Sequence, residues 1–280
     1  GFCLSFEPGK CMNQTKSIDN GRLLCYDYNN KEGKRMIEFQ HVTKRYGKNS
    51  EPSVKDLCLT VDAGCVFGFL GPNGAGKTTT IRMLTGILQP TEGDVLVDGH
   101  SMKHEPLAAK RLIGFVPDEH ETYDRLTGME YLNFIADMYL VSKADRGERI
   151  AKYLDMFELK KAAGDQVRSY SRGMKQKLTV IGALLHDPAV WVLDEPMVGL
   201  DPRASHLLKE EMRRRADAGA TVFFSTHVLE VAEKLCDKVG IIDHGKMIVC
   251  GTLEELRGTK GDESLEKLFL ELTDAEEDKA

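Results

Sequence analysis

The stretch Gly71-Pro72-Asn73-Gly74-Ala75-Gly76-Lys77-Thr78-Thr79 has the spacing G-x-x-x-x-G-K-[ST]. The chemistry open to that spacing is the holding of a triphosphate. Glycines let successive backbone N–H groups turn inward, because no Cβ obstructs the left-handed conformations that such a cradle needs. A helix opening near Lys77 adds the positive end of its dipole. Lys77 then reaches the β- and γ-phosphates, and the Thr78 hydroxyl is a ligand for Mg²⁺. A second chemical candidate closes the apolar run Val190–Leu193, which ends in Asp194 and Glu195. At the C-terminal edge of a strand, Asp194 can hold Mg²⁺ through its water shell. Strand alternation turns Glu195 elsewhere, where it can polarise an attacking water. Taken alone, two acids there are more often a capped strand end. The phosphate loop upstream favours metal and base.

Both candidates need strands and helices to carry them. Leu57, Leu59 and Val61 alternate with polar residues, the mark of a half-buried strand. Cys65–Leu70 is apolar throughout, as in a strand covered on both faces, and it leads into the glycine loop. Ile81, Leu84 and Leu88 then recur at helical spacing. Thr221–Ser225 and Val239–Asp243 read as further strands, and a turn at Asp243-His244-Gly245-Lys246 continues the chain to Cys250. Residues 118–172 differ in character. Leu132, Ile135 and Met138-Tyr139 form one helical stripe, and Ile150, Leu154 and Phe157 another. The pattern predicts a parallel α/β core, a helical insertion, and an antiparallel sheet from the first strands.

Composition narrows the classes. Hydrophobic residues make up 41% and charged residues 29%, so a packed core is expected and wholesale disorder is not. A formal net charge of -6 argues against nucleic acid as the main partner. No apolar run approaches the ~20 residues of a membrane-spanning helix, and Gly1–Phe6 lacks the features of a secretory signal. A cytoplasmic protein is expected. The seven cysteines include no Cys-x-x-Cys pair; Cys58, Cys65, Cys236 and Cys250 sit in apolar stretches and read as small buried hydrophobes. Residues 1–35 show no useful period, which predicts a poorly ordered or non-native extension with Met36 as the natural start. Arg213-Arg214-Arg215 follows Lys209-Glu210-Glu211, a mixed-sign pattern that predicts a solvated helix face.

Glu195 directly after Asp194, then Pro196 and Gly199-Leu200-Asp201-Pro202, makes Met36–Leu272 resemble the ABC ATPases. The resemblance implies an α/β P-loop NTPase core, a mostly parallel sheet flanked by helices. It implies an antiparallel β subdomain, a helical subdomain at about 118–172 within an ATPase domain at 36–258, and a C-terminal helix with an acidic tail at 259–280. It brings ATP and Mg²⁺, with hydrolysis to ADP and phosphate. Glu195, His227 and Lys77 become the expected catalytic residues, His227 matching a switch histidine that contacts the γ-phosphate. Tyr46, in Lys44-Arg45-Tyr46-Gly47, matches the aromatic that stacks on adenine, beside the plainer reading of a core or surface tyrosine. Tyr170-Ser171-Arg172-Gly173-Met174 stands where the family signature is usually Leu-Ser-Gly-Gly-Gln. Ser171 and Gly173 keep their positions, whereas Arg172 and Met174 depart. Ser171 also reads as the N-cap of a helix carrying Leu178, Ile181 and Leu185. After Ile113-Gly114-Phe115-Val116-Pro117 the family places Gln; here Asp118 and Glu119 follow. A carboxylate at Asp118 can still ligate Mg²⁺ or its water, and it adds negative charge beside phosphates.

The resemblance implies partners as well. Ser171 and Gly173 would act in trans, closing the γ-phosphate site of a second ATPase subunit in a homodimer or heterodimer. A separate transmembrane permease would dock on the helical subdomain, at the cytoplasmic face of the membrane. Tyr170–Met174, Gly199–Pro202 and Ser264–Phe269 look like bacterial exporters of the multidrug type. Two alternatives stay open: a soluble ABC ATPase of the translation or DNA-repair type, and a slow regulatory nucleotide sensor in which Asp118 replaces the usual Gln.

Overall fold

Apolar runs at Val66–Leu70, Val190–Leu193 and Val222–Phe224 place three strands in the interior. β5 (Val66–Leu70), β9 (Val190–Leu193) and β10 (Thr221–Thr226) are buried at every position, as strands covered on both faces must be. The computed structural model describes residues 14–19, 22–27, 34–47, 50–118, 123–257, 265–267 and 269. In it, β8 (Ile113–Val116) and β11 (Lys238–Asp243) join these three in parallel, and β12 (Lys246–Gly251) closes one edge antiparallel. The order is β12-β11-β5-β10-β9-β8. The β11–β12 hairpin turns through His244 and Gly245 at φ 45° and 75°, the backbone signs of a two-residue turn that suits twisted strands.

The second sheet is wholly antiparallel, in the order β4-β3-β6-β7, from β3 (Arg35–Lys44), β4 (Val54–Asp62), β6 (Glu92–Val97) and β7 (His100–Ser101). Its apolar face shares one core with β5 and with α1 (Lys77–Leu84). Phe39, Phe67 and Phe69 surround Phe223, with ring centroids 5.4–6.5 Å apart. The opposite face of the parallel sheet is covered by α5 (Arg172–Leu184) and α6 (Pro202–Asp217), which bury Leu178, Ile181, Leu208 and Met212 against Trp191 and Leu193. The short helices α2 (Pro106–Arg111) and α7 (Leu229–Leu235) complete the cover.

Between β8 and α5 lie α3 (Gly128–Met138) and α4 (Lys143–Met156). Thr127 and Glu130 form a reciprocal capping box on α3, and Ser142 caps α4. Ile150, Leu154 and Phe157 are buried, as their spacing predicts. The stripe on α3 is only partly inward: Leu132 is buried but Met138 is 64% exposed. Both helices pack on α5, so their core is continuous with the back of the parallel sheet. Among the described residues, no helix is long and apolar enough to cross a membrane.

Three expectations need correction or limits. Within residues 1–35, where the sequence shows no useful period, β1 (Gln14–Asp19) and β2 (Arg22–Asp27) pair antiparallel, with Asp19 opposite Arg22. Asn20-Gly21 between them is the residue pair that two-residue hairpin turns favour. Arg213–Arg215 is a solvated face only in part, with Arg214 exposed and Arg213 half-buried. Arg215 is 4% exposed and donates to Asp187 and to the Pro188 carbonyl, and Arg213 reaches Asp237. Arg213–Asp217 and Arg214–Glu211 are the intrahelical pairs expected. The C-terminal tail lies mostly outside the described residues. α8 (Leu253–Arg257) ends before it, and within it the structure describes helical backbone at 265–267 and 269.

Candidate active site

The phosphate loop occupies the turn from β5 into α1. Gly74 and Gly76 take φ values of 84° and 109°, in the region that side-chain-bearing residues rarely adopt. Gly71 and Gly76 are also required by contact. A Cβ at Gly71 would lie 2.3 Å from the Ile242 carbonyl oxygen, and one at Gly76 would lie 2.5 Å from that of Ser53. Gly76 caps α1 without any side-chain hydrogen bond, so the first N–H groups of the helix face outward for an acceptor. Pro72, Asn73 and Gly74 are exposed, and Ala75 is packed beneath them. Lys77 is buried. Its Nζ donates to the carbonyls of Gly71 at 2.7 Å and Pro72 at 3.0 Å. Burial pulls its pKa down, while Glu195 and Asp194 hold it up.

The acids converge on the same place. Asp194 is 2% exposed, and Ser225 Oγ donates to its Oδ1 at 2.6 Å. Burial pushes the Asp194 pKa up, hydrogen bonds from Ser225 and Thr78 pull it back, and the charges of Asp118 and Glu195 raise it again. Thr78 is therefore within hydrogen-bond reach of Asp194, and Asp118 is near enough for its charge to act on it. Glu195 diverges from Asp194, though not through strand alternation. β9 ends at Leu193, and Glu195 has φ 46°, a left-handed turn held by its N–H donating to Ser225 Oγ at 3.0 Å. Its carboxylate then reaches His227 Nδ1 at 3.0 Å and Lys77 Nζ at 3.9 Å. The structure thus brings Lys77, Thr78, Asp118, Asp194, Glu195 and His227 together.

Tyr46 and Thr79 extend the site along the loop. Tyr46 is 61% exposed, its hydroxyl 3.2 Å from Thr79 Oγ1. Lys44 Nζ sits 5.7 Å from its ring centre. Ser171 and Gly173 stand apart from this group. Ser171 caps α5, its Oγ accepting from Met174 N–H at 3.2 Å. A Cβ on Gly173 would come 2.7 Å from the Gly199 carbonyl oxygen. Among the described residues no hydrogen bond joins either to residues 71–79.

Other contacts at the site were not anticipated from the sequence. Ser225 ties the backbone of Glu195 to the side chain of Asp194; a hydroxyl directly after the apolar Val222–Phe224 was the available signal. Buried Gln176 donates to the Pro196 carbonyl at 3.1 Å, and Lys177 pairs with Asp201 at 2.8 Å.

A glycine cradle, a buried lysine and clustered carboxylates at the C-terminal edge of a parallel sheet define a nucleoside-triphosphate-binding P-loop protein. Residues 54–198 match the model of the ABC transporter family. The linearmycin resistance ATP-binding protein of Bacillus subtilis is 36% identical over 233 residues, covering 83% of this chain and 74% of the relative. The daunorubicin/doxorubicin resistance ATP-binding protein of Streptomyces peucetius is 38% identical over 232 residues, covering 83% and 70%. Among solved structures, an ATP-binding subunit of an ABC transporter superposes with a TM-score of 0.81 at 33% identity, over 85% of this chain and 99% of that one. A dimeric ATP-binding cassette in a post-hydrolysis state with ADP and Pi gives 0.72 at 25% identity, over 78% and 99%. The chain belongs to the ABC transporter family as an ATP-binding, ATP-hydrolysing subunit.

Proposed function

We propose that residues 71–79 hold ATP with Mg²⁺, that Glu195 is the general base of hydrolysis, and that a second cassette completes the site. The cycle would drive export through a separate membrane-spanning permease, with the chain peripheral on the cytoplasmic face. The carrying observation is the contact of the Glu195 carboxylate with both Lys77 and His227, beside buried Asp194. Asp194, a buried carboxylate whose pKa the neighbouring charges of Asp118 and Glu195 raise, belongs with the Thr78 hydroxyl to a donor set that fits a hard divalent cation. Thr78 and Asp194 would hold Mg²⁺, with Asp118 as a further ligand direct or through water. When bound, the ion supplies positive charge against the phosphate oxygens.

In the reaction, Glu195 accepts a proton from the attacking water as the water oxygen bonds to the γ-phosphorus. The bond from that phosphorus to the bridging oxygen breaks, leaving ADP and phosphate. Lys77 offsets charge on the β- and γ-phosphates, and His227 orients Glu195 and reaches the γ-phosphate. Tyr46, exposed at the end of the loop, offers its ring to the adenine. Ser171 and Gly173, at the start of α5, would serve the ATP of a second subunit, with N–H donors from the helix start, as the Ser171 N-cap supports. The resistance functions in the names of two relatives support export. A slow regulatory sensor is the second reading, favoured by Asp118 adding charge beside Asp194.

Glu195→Gln is the test. It should keep ATP binding and ATP-dependent pairing by light scattering, while phosphate release falls by about 10²–10⁴. Turnover near wild type would remove Glu195 from the role of base.

A further inference from the structure

The antiparallel sheet carries a constellation that the nucleotide site does not use. β3 and β4 pair with two opposed irregularities. Between the pairs Phe39–Leu59 and Val42–Leu57, β3 holds Gln40 and His41 against the single Cys58 of β4. Between Val42–Leu57 and Lys44–Val54 the excess changes sides, and Lys55 and Asp56 oppose Thr43. Each is a bulge, which re-aims side chains locally. One residue of each bulge takes left-handed backbone, His41 at φ 51° and Asp56 at φ 48°; His and Asp enter that region more readily than most side chains. The packing is built around the first bulge. A Cβ on Gly93 of β6 would lie 2.3 Å from the His41 carbonyl oxygen and 2.4 Å from that of Gln40. Asp56 N–H donates to Thr43 Oγ1 at 3.0 Å, fixing the second.

The result is one patch of three different donors. His41 Nδ1 lies 2.8 Å from Asp56 Oδ1 and 3.5 Å from Cys58 Sγ. The three ligand atoms all fall within 4.8 Å of one another. We propose that His41, Asp56 and Cys58 form a binding site for a zinc-class divalent cation.

The donor chemistry selects the ion. An imidazole nitrogen, a thiolate and a carboxylate suit Zn²⁺ and its transition-metal neighbours, whereas Mg²⁺ and Ca²⁺ take oxygen shells. Tetrahedral bonds of about 2.0–2.3 Å place ligand atoms about 3.3–3.6 Å apart. The Nδ1–Sγ distance already has that value. The Nδ1–Oδ1 pair must open by roughly half an ångström, which small rotations of two exposed side chains supply. Thiolate and carboxylate together neutralise a divalent charge, and the imidazole binds neutral. Three protein ligands leave a fourth position for water or for a donor from a partner. Burial pushes the thiols of Cys65 and Cys250 up to about 12 and also raises that of Cys236.

The full chain, reduced and free of nucleotide, tests the site, with Co²⁺ as the spectroscopic probe and Zn²⁺ as competitor. Cys3, Cys11 and Cys25 are changed to Ser in every sample, which removes the N-terminal thiols as a source of signal. One Co²⁺ per chain should bind with a thiolate-to-metal charge-transfer band that Zn²⁺ displaces. Cys58→Ser should abolish the band, and Cys250→Ser should leave it intact. His41→Ala and Asp56→Asn should each weaken Zn²⁺ binding about tenfold or more. These two residues are on the surface, so circular dichroism should match the parent. Absence of the band in the parent protein would leave His41 and Asp56 an ordinary ion pair and overturn the proposal. So would a band that survives Cys58→Ser, or Zn²⁺ affinity unchanged in both His41→Ala and Asp56→Asn.

Discussion

Ser225→Ala removes one hydroxyl from the floor of the active site and leaves its shape nearly intact. That hydroxyl donates to Asp194 Oδ1 at 2.6 Å and accepts the Glu195 N–H at 3.0 Å, with both Ser225 and Asp194 buried. A hydrogen bond to an ionised group contributes about 1.5–3 kcal/mol, and a Glu195 amide that loses its acceptor adds about 1 kcal/mol more. Stability at neutral pH should fall by roughly 2–4 kcal/mol. For a chain of this size that lowers Tm by roughly 5–10 °C.

The pH dependence separates this cause from general loosening. Burial holds the Asp194 pKa above its ordinary 3.8, and the Ser225 hydrogen bond works against that rise. Between the ordinary and the raised value the native carboxyl keeps a proton that the unfolded chain has released. Its contribution to stability therefore falls as pH rises through that window, and is complete below it. Without the Ser225 donor the folded pKa climbs further and the window widens. The gap between variant and wild type should be small near about pH 4 and large near about pH 7.5. Differential scanning calorimetry at the two pH values measures it. An unchanged Tm, or a loss of equal size at both, would refute the assigned role of Ser225.

Three further perturbations probe other parts of the site. Gly173→Ala sets a Cβ 2.7 Å from the Gly199 carbonyl oxygen; the overpacking should cost about 1–3 kcal/mol, and light scattering should show weaker ATP-dependent pairing, an unaffected dimer counting against the proposed interface. Tyr46→Ala should raise the Kd for ATP roughly 2- to 13-fold by calorimetry, from a lost stacking contribution of about 0.5–1.5 kcal/mol. Tyr46→Phe, which gives up only the contact with Thr79, should bind nearly as the wild type; equal losses in both would point to the hydroxyl instead of the ring. Asp118→Asn should raise the Mg²⁺ concentration for half-maximal hydrolysis about 3- to 10-fold, while metal-free ATP binds more tightly for want of a repelling charge. A lower Mg²⁺ requirement would put Asp118 outside the reach of the metal.

Much of the architecture was legible because local pattern and tertiary placement agree. β5, β9 and the middle of β10 are apolar in sequence since both faces of the sheet are covered, and the glycine spacing marks the turn into α1 whatever surrounds it. The misreadings arise where long-range contacts decide. Arg215 looked solvated beside its acidic neighbours, yet its partners Asp187 and Pro188 come from the segment before β9, which no helical spacing reveals. Glu195 does part from Asp194, but through a left-handed residue secured by Ser225 on the adjacent strand, and strand alternation plays no part in it. The His41 and Asp56 bulges depend on the register between two strands, and one sequence does not print register. The β1–β2 pair is different in kind: Asn20-Gly21 was a local signal, and a reading that sought only long periods passed over it.

The contacts of α5 give the site a mechanical consequence. Buried Gln176 holds the Pro196 carbonyl, one residue after Glu195. Lys177 holds Asp201, which also caps α6, and these hydrogen bonds keep the Asp201 carboxyl below the usual carboxylate range. Gly173 rests directly on Gly199. Three points within two turns of one helix are thus fixed to the six residues that follow Glu195. A displacement at Ser171, where a second subunit is proposed to meet ATP, must move that segment or break a buried hydrogen bond and an ion pair. Breaking the first strands a polar group in the interior, at about 1–3 kcal/mol, so a joint displacement is the cheaper course. Because α3 and α4 share their core with α5, the same displacement reaches the helical layer. If a second subunit closes there as proposed, the position of Glu195 and the posture of α3 and α4 would follow one displacement, the kind of element that both ATP and a membrane partner could bias.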